Sequence, residues 1–536
     1  MNLIDQKRIF LEIKFFFKFR KKFKALLRAK SQKTSQCCYI FLHSGESFYT
    51  LKLMALFCLP LINHDMNIVF ISPEKKILRR FKILLGIKLL NLNIIFLSNQ
   101  NFKYCNEIIT RFEGALNRCN SDSDFLNFDF EGINFGKYAL AKVLRDQKIT
   151  SINNDPHLMK LIKLECLECF NFLKSLQSNL RFNVVTKAVF IEAHYSPFGP
   201  LVQFLIQNTN VDTIQITQSW REDALTLRRL TKETHNWHPS RVPDQLMHDF
   251  TTEKFSADHE ALLNNILRKR YRGDWSLQSR NVPADRRMSV EEVREVFALD
   301  ETKPTAVIYC HVLWDANYFY GDDLYPSISD WLINTVKIAH KNKNINWLIK
   351  IHPANVWKSS GDYMSKHSIE KSMLEQRFGR LPGHIKFIEA NANINTFDLF
   401  LASEIAITVR GTAGIEFASL GKKVILAGTG RYSGYGFTQE FRCQQDYESY
   451  LLTLHQNSLK LSKEATSLAK YHALVAFEYC IWKLESFKFR TFLSGRVNDL
   501  FYDGNPDASL DQLKDFAELS DWQFSDEIHF INKKDL

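Results

Sequence analysis

Short apolar runs alternate with amphipathic stretches along most of this 536-residue chain. The runs have the length of buried strands, and the stretches between them repeat their apolar residues every three or four positions, as helices do. This alternation predicts α/β architecture with parallel sheets, because each strand needs a helix to return the chain. The predicted strands are 38–42, 67–72, 93–97, 188–192 and 213–217 in the first half, and 306–310, 346–351, 385–388, 405–409 and 424–427 in the second.

Two Rossmann-like domains are predicted, because the chain is too long to fold around a single core. Residues 218–300 are polar and rich in Arg, His and Trp, which indicates long loops and a connection between domains. The predicted divisions are a basic segment over 1–34, a first domain over 35–300 with a helical insertion at about 105–182, a second domain over 301–490, and a tail over 491–536.

The formal net charge of +11 is concentrated near the beginning of the chain. Residues 1–30 contain ten Lys or Arg against Asp5 and Glu12, so they carry +8 of the excess. The other residues are close to neutral as a group, which argues against a nucleic-acid groove elsewhere.

Residues 7–30 have the spacing of a basic amphipathic helix. Such a helix can lie reversibly on an anionic membrane surface, where each Lys or Arg contributes about 1 kcal/mol. Two alternatives are a helix docked on its own domain and an arm that binds nucleic acid. We expect the membrane surface as partner and no nucleic acid. The apolar side would carry Phe16, Phe19, Phe23, Leu26 and Leu27.

Cysteine usage and hydropathy predict a cytoplasmic protein, and the basic segment predicts its location on the inner face of the cytoplasmic membrane. The ten cysteines are irregularly spaced, which favours reduced thiols over a disulfide framework. Cys166 and Cys169 form a C-x-x-C in a helical pattern without a second pair, so we interpret them as buried helix thiols. The sequence has no run of 18 apolar residues and no small-residue cleavage site near Met1, so neither a membrane span nor secretion is predicted.

Polar residues follow three predicted strands of the second domain, and such strand ends meet at one edge of a parallel sheet. His311 and Asp315 follow the first of these strands, in a loop whose aromatic and acidic residues suit a sugar or a base. Lys350 and His352 stand at the end of the next, where Pro353 stops the strand. We predict that His352 donates to a phosphate oxygen; the alternative is a packed histidine.

The third strand end is a glycine-bearing turn that begins a short helix. Small residues there let a diphosphate approach the backbone, and the helix start favours an anion. Glu416 would accept the ribose hydroxyls, or would simply be a favourable charge in the first helical turn. A second glycine-rich loop, after the next strand, would close over the ligand or form a plain surface turn. The residues concerned are Arg410, Gly411, Thr412 and Gly414 in the turn, and Thr429, Arg431 and Tyr432 in the loop.

Four motifs of the second half resemble the bacterial capsule and surface polysaccharide biosynthesis proteins, which include the Kdo transferases of capsule export. They are HVLWDANYFYGDDLY, WLIKIHPANVW, INTFDLF and TVRGTAGIEFASLGKKVILAGTGRYSGYGFT. The resemblance covers roughly residues 185–445. It implies a GT-B glycosyltransferase with two facing Rossmann-like domains, acceptor mainly on the first and nucleotide sugar mainly on the second. It also implies that His352, Pro353 and the turn from Arg410 to Glu416 hold the nucleotide phosphates and ribose.

The predicted reaction is therefore sugar transfer from a nucleotide sugar to a capsule, O-antigen or lipid-linked glycan. No metal or other cofactor is expected, because basic side chains and helix starts can neutralise the leaving phosphate. An inverting enzyme needs a general base near the acceptor hydroxyl. Candidates that follow strands of the first domain are His43, Glu46, Glu192 and His194, and Arg221 is a candidate for binding an acidic acceptor or a phosphate. Alternatives are a nucleotide-sugar epimerase of similar fold and a non-catalytic export or assembly factor.

Overall fold

The computed structural model describes ten stretches of the chain. They are residues 3–27, 36–43, 46–97, 106–179, 184–250, 255–272, 287–355, 368–492, 497–505 and 507–532. Parts of the predicted basic segment, helical insertion and tail lie outside them.

Eighteen α-helices and sixteen β-strands occur in these stretches. The helices are α1 (Leu3–Leu26), α2 (Phe48–Asn63), α3 (Ile77–Leu89), α4 (Asn106–Leu116), α5 (Asp122–Leu126), α6 (Gly136–Gln147), α7 (Pro156–Asn179), α8 (Phe198–Asn208), α9 (Asp244–His248), α10 (Ala257–Arg272), α11 (Val290–Val296), α12 (Ile328–Lys341), α13 (Ile369–Phe378), α14 (Thr396–Ala402), α15 (Ala413–Ser419), α16 (Gln444–Leu452), α17 (Lys463–Leu474) and α18 (Lys514–Gln523). The strands are β1 (Cys37–Phe41), β2 (Asn67–Ser72), β3 (Asn93–Phe96), β4 (Asp129–Phe130), β5 (Ile133–Asn134), β6 (Val185–Phe190), β7 (Asp212–Gln218), β8 (Ala224–Arg229), β9 (Thr305–Tyr309), β10 (Asn346–Lys350), β11 (Ile385–Ile388), β12 (Ile405–Thr408), β13 (Lys423–Leu426), β14 (Trp482–Lys483), β15 (Phe487–Phe492) and β16 (Val497–Tyr502).

The chain divides into two units whose boundaries differ from the predicted ones. The first unit comprises Met1–Asp146, Ser151–His235 and Cys480–Leu536, and the second comprises Gln147–Thr150 and Asn236–Tyr479. The predicted connection therefore belongs largely to the second unit, and the predicted tail to the first.

The first unit contains a seven-stranded sheet in the order β14-β8-β7-β6-β1-β2-β3. The five strands from β7 to β3 are parallel, whereas β8 and β14 pair antiparallel. The chain first runs outward from β1 to β3 and then restarts on the other side of β1 with β6. This reversal creates a crevice at the carboxyl ends of β1 and β6, where ligands of doubly wound sheets bind.

The second unit repeats this topology in a five-stranded parallel sheet of order β11-β10-β9-β12-β13. Its strand order reverses between β9 and β12, so the equivalent crevice lies at the ends of those two strands. The core strands are apolar and buried on both faces, as a parallel sheet covered by helices requires. The predicted α/β class with two Rossmann-like sheets is confirmed.

Helix α1 packs on the first unit. Phe16, Phe19, Phe23 and Leu26, four of the five residues predicted to line its apolar side, are buried in the core with residues of α2 and α18. The side that we expected on a membrane is therefore occupied by the protein itself, which matches the docked alternative.

The last part of the chain is folded rather than a surface tail. Helix α18 buries Phe516, Leu519 and Trp522 in the core of the first unit, and Gln523 donates to the carbonyl of Phe57 in α2. Strand β8 was also missed, because its Arg228 and Arg229 break the apolar pattern. Both arginines are buried and hydrogen-bonded, Arg228 to Gln215 and Arg229 to Asp212.

Candidate functional site

A cavity of about 320 Å³ lies at the carboxyl edge of the second sheet, where β9, β10 and β12 end. Its volume is within the range of about 300–1,000 Å³ that small-molecule sites occupy. Four cationic side chains and two carboxylates line it. They are Arg270, Lys350, Arg410, Arg431, Asp315 and Glu416. Nine of the twelve predicted nucleotide-sugar residues line this cavity, and Gly414, Thr429 and Tyr432 do not.

Lys350, the last residue of β10, is a buried cation at this edge. Its Nζ reaches backbone carbonyls of Ile351 and Glu389 at 3.5 and 3.4 Å, both long for hydrogen bonds. Burial lowers the pKa of Lys350 to about 8. A phosphate bound in the cavity would place a negative charge beside the ammonium and so offset the free-energy cost of burying it.

Two histidines stand at the ends of β9 and β10. His311 Nε2 accepts the backbone N–H of Arg410 at 3.3 Å, which ties the end of β9 to the turn after β12. Burial, with Arg410 nearby, lowers the pKa of His311 to about 3, so this ring is neutral. His352 Nδ1 accepts the N–H of Ala354 at 3.0 Å, which favours the tautomer with its proton on Nε2. A neutral His352 can thus still donate a hydrogen bond.

Arg410 is committed to the protein's own groups. Its guanidinium donates to the carbonyls of Thr429, Phe319 and Asp322 at 2.8, 3.0 and 3.3 Å, and it forms an ion pair with Asp323. These bonds fasten the loop after β9 to the loop after β13. We interpret Arg410 as a positioning residue, and its predicted contact with phosphate stays a prediction.

Arg431 differs from Arg410 because no carboxylate pairs with it among the described residues. Its guanidinium is hydrogen-bonded to Thr412 and, at 2.6 Å, to His238. Burial lowers the pKa of Arg431 to about 10, so it remains cationic at neutral pH. A buried cation without a carboxylate partner in a cavity wall is suited to an anionic ligand.

Glu416 is held by two residues of α10. Arg270 forms an ion pair with it at 2.5 Å, and the Tyr271 hydroxyl donates to its other oxygen. All three side chains are buried or nearly so. A carboxylate offers about four acceptor positions, so these two donors leave capacity for a ligand hydroxyl. The ribose contact predicted for Glu416 stays a prediction.

The glycines of the predicted turn and loop allow close packing around the cavity. A Cβ on Gly414 would lie 2.0 Å from Tyr432 Oη, which donates to the carbonyl of Gly411. Gly430 has φ +122°, and a Cβ there would meet the carbonyl oxygen of Tyr320 at 1.7 Å. The turn after β12 therefore packs on the Tyr432 side chain, and the loop after β13 meets the backbone of the loop after β9 at Gly430, where no larger residue would fit.

The loop after β9 contains three non-glycine residues in the left-handed region. Ala316, Tyr318 and Tyr320 have φ of 57°, 68° and 76°, and Ala316 and Tyr320 line the cavity. Such conformations are costly for residues with a Cβ and concentrate at functional sites.

A second polar cluster lies in the first unit, at the ends of β1 and β6. Glu192 forms a two-point ion pair with Arg145, with distances of 3.0 and 3.1 Å, and its carboxylate lies 3.8 Å from His43 Nε2. Burial lowers the pKa of His43, and the Glu192 carboxylate opposes that shift. Glu46 accepts the backbone N–H of His43 at 3.2 Å, and burial raises its pKa. The structure therefore brings three of the four predicted base candidates together.

His194 is set apart from this cluster. It is buried, its Nε2 lies 2.6 Å from the carbonyl of His235, and burial lowers its pKa to about 3. Arg221, the predicted acceptor contact, forms an ion pair with Asp223 at 2.5 Å. Of the two candidate histidines, the structure places His43, and not His194, beside Glu192.

Sequence reasoning missed four residues of the two sites. Arg145 lay in a helical pattern, and Tyr271, Arg270 and His238 lay in the stretch assigned to loops. The enrichment of that stretch in Arg and His was the available signal.

The described stretches contain few side-chain groups suited to metal or thiol chemistry. They contain no group of three or more His, Cys, Asp or Glu side chains that could hold a metal ion. The nine described cysteines are free, and Cys166 and Cys169 are buried in α7. No described helix is long and apolar enough to cross a membrane.

Comparison with protein-family models and with curated proteins found no match. Among solved structures, the chain is similar to the Thermosulfurimonas dismutans KpsC beta Kdo 2,4 transferase, with 11% identity and a TM-score of 0.32 over 54% of this chain and 79% of that one. A glycosyltransferase from Rickettsia africae matches with 11% identity and a TM-score of 0.29 over 82% and 94% of the two chains. UDP-GlcNAc 2-epimerase from Neisseria meningitidis matches with 12% identity and a TM-score of 0.26 over 83% and 97%. Similarities with such low identities and TM-scores do not show the function of this chain.

Proposed function

We propose that this protein is a glycosyltransferase that takes its sugar from a nucleotide donor bound in the second unit. The observation that carries the proposal is the cavity at the strand-order reversal between β9 and β12, in which cationic side chains outnumber carboxylates. Nucleotide phosphates bind at this position in doubly wound sheets.

The phosphates would be bound by Arg431, Lys350 and His352. Arg431 and Lys350 are cations without a carboxylate hydrogen-bond partner among the described residues, and His352 has a donor on Nε2. The two cations would stabilise the charge that develops on the leaving phosphate, as a metal ion does in other transferases. We therefore propose metal-independent transfer.

The general base would come from the His43–Glu192 cluster of the first unit. The lowered pKa keeps His43 neutral near pH 7, as a base must be. Arg145 holds Glu192 by two hydrogen bonds, which fix the carboxylate where it can orient or replace the imidazole. The acceptor we propose is a capsule, O-antigen or lipid-linked glycan, and the site of action is the cytoplasmic face of the membrane.

Nucleotide binding tests the donor site directly. Calorimetric titration with CMP, UDP, GDP and dTDP should show one preferred nucleotide, and Arg431→Met should weaken its binding by tenfold or more. This estimate uses about 1.5–3 kcal/mol for a hydrogen bond to a charged group. Arg442→Met is the matched control, because Arg442 is exposed on the same unit and outside the cavity. The donor site is wrong if no nucleotide binds, or if both variants bind equally well.

Product analysis separates transfer from the alternatives. With the matching nucleotide sugar and no acceptor, an epimerase would produce a new nucleotide sugar, which NMR of the mixture would reveal. A transferase should instead release nucleotide in proportion to added glycan acceptor. A protein that binds glycan but no nucleotide would support the non-catalytic assembly factor.

A further inference from the structure

The large apolar side chains that face solvent are concentrated on two helices. Fourteen such residues are exposed in the described part of the chain, and seven of them lie on α1 and α3. Half of these side chains thus lie on two of the eighteen described helices, and such a concentration of exposed apolar residues is typical of an interaction site. The seven are Ile9, Phe10, Phe17, Ile77, Leu78, Phe81 and Leu84.

Helix α3 carries apolar residues on its outer side as well as on its inner side. Its inner side packs on α2 through Gly86, where a Cβ would lie 2.7 Å from Leu51 Cδ1. Its outer side carries Ile77, Leu78 and Phe81, which are 82%, 84% and 63% exposed. Nothing in the packing of the first unit explains these three residues.

Helix α1 adds its outer side to the same surface. Phe10 and Phe17 are seven residues apart, so they lie on one stripe of the helix, and they are 63% and 48% exposed. This stripe lies opposite the side that buries Phe16 and Phe23 in the core. The outward stripe, and not the inward one, is available to a partner.

The two helices run side by side in the same direction. Glu12 of α1 forms an ion pair with Lys82 of α3 at 3.0 Å, and Arg20 of α1 donates to the carbonyl of Leu89 at 2.7 Å. Later residues of α1 thus meet later residues of α3. The exposed Phe10 and Phe81 therefore belong to the same end of the helix pair.

The charge around these residues is mainly positive, with Glu168 paired to Lys75 and Glu74 to Arg79. Residues 75–92 contain six Lys or Arg and no Asp or Glu. Residues 7–27 contain eight Lys or Arg and one acid, Glu12, which is paired with Lys82. Lysine is depleted in protein interfaces, whereas bulky apolar residues bordered by Lys and Arg are typical of surfaces that enter an anionic leaflet.

We propose that the outer surface of α1 and α3 docks on an anionic lipid bilayer. Ile77, Leu78, Phe81 and Phe10 would enter the headgroup region, and the surrounding lysines and arginines would contact lipid phosphates. The surface is part of the folded first unit, so the contact needs no helix to leave the core. This proposal is independent of the reaction catalysed.

Vesicle co-sedimentation of the full-length protein tests the docking. We expect binding to equimolar phosphatidylcholine and phosphatidylglycerol, weak binding to phosphatidylcholine alone, and release by salt. The triple variant Ile77→Ser, Leu78→Ser, Phe81→Ser should bind at least about tenfold more weakly, because it removes the apolar part of the contact. The control variant Leu164→Ser, Val296→Ser changes two exposed apolar residues elsewhere and should bind as the wild type does.

A second variant removes positive charge from this surface, keeps its apolar residues and is tested for vesicle binding in the same way. Lys14→Gln, Lys18→Gln, Lys76→Gln, Lys88→Gln should weaken binding to anionic vesicles by at least about tenfold and reduce its salt dependence. These four lysines are exposed, so folding should be unchanged. Equal binding to both vesicle types, full binding by the triple variant, or a wild type that stays in the supernatant would each overturn the proposal. So would a wild-type dimer that the triple variant converts to monomer while vesicle binding persists.

Discussion

The inner face of α1 provides the most quantitative test of this structure. Phe23 has no exposed surface and lies in the core of the first unit, so Phe23→Ala should reduce the free energy of unfolding by about 3–5 kcal/mol. Phe17 is 48% exposed on the same helix, and Phe17→Ala should change stability by about 0.5 kcal/mol or less. The two variants remove the same atoms from one helix and differ only in what those atoms contact.

Removal of the whole helix should be far more damaging. Burial of a large apolar side chain stabilises by about 1.5–3 kcal/mol, so loss of the four inner residues of α1 should cost roughly 6–12 kcal/mol. That range is comparable to the total stability of a typical domain, about 5–15 kcal/mol. A chain that begins after α1 should therefore fail to fold its first unit, and such a deletion cannot serve as a test of membrane binding.

Hydrogen exchange measured by mass spectrometry is the appropriate assay, because two units need not unfold in one transition. Peptides from β1 and β6 should exchange faster in Phe23→Ala than in the wild type, while peptides from β9 and β12 report on the second unit as an internal control. The docked helix would be refuted if the amides of β1 and β6 were equally protected from exchange in Phe23→Ala and Phe17→Ala. Wild-type protection of these strands in the deletion variant would refute it as well.

Further predictions concern the two sites. Arg410→Met should destabilise the second unit by about 3–5 kcal/mol because it leaves Asp323 without its cation, and a lowered melting temperature without nucleotide would show this. Nucleotide affinity should be constant well below pH 8 and should decline above about pH 8, as Lys350 loses its proton. In Lys350→Met the affinity should depend less on pH, and an unchanged pH dependence would exclude the contact between Lys350 and the nucleotide. Gly414→Ala should reduce affinity by displacing Tyr432, whereas Gly383→Ala, with open space around its Cβ, should not. Glu192→Gln should lower turnover with little change in nucleotide affinity, and equal losses in both would contradict its assignment to the base.

Several features of the donor site could be read from the sequence because they are local. A strand followed by His-Pro, or by a glycine-bearing turn, ends where its own residues dictate. The cavity accordingly contains His311, Lys350, His352 and Arg431, all of which strand-end reasoning had selected. The roles of similar residues could not be read in the same way. Arg410 and Arg431 are both arginines in glycine-rich loops, yet one is paired with Asp323 and the other is hydrogen-bonded to Thr412 and His238.

Residues from distant parts of the chain decide such differences. Glu416 is held by Arg270 and Tyr271, which lie about 145 positions earlier, and Glu192 is held by Arg145 from the helical insertion. The base candidate His194 illustrates the same limit. Its position after a strand suggested chemistry, but the carbonyl of His235 and complete burial make it part of the interior.

The sequence by itself determined the ten parallel strands, the α/β class and the strand ends that carry polar residues, because hydrophobic periodicity and glycine placement act over a few neighbouring residues. The tertiary structure decided which side of α1 faces the core, where the end of the chain folds, and which charged groups are already paired. The physical reason is that an amphipathic helix and a charged side chain each have several favourable partners, and only packing shows which of them is adjacent. For α1 that choice buries one apolar stripe and leaves the other, with α3, on the surface.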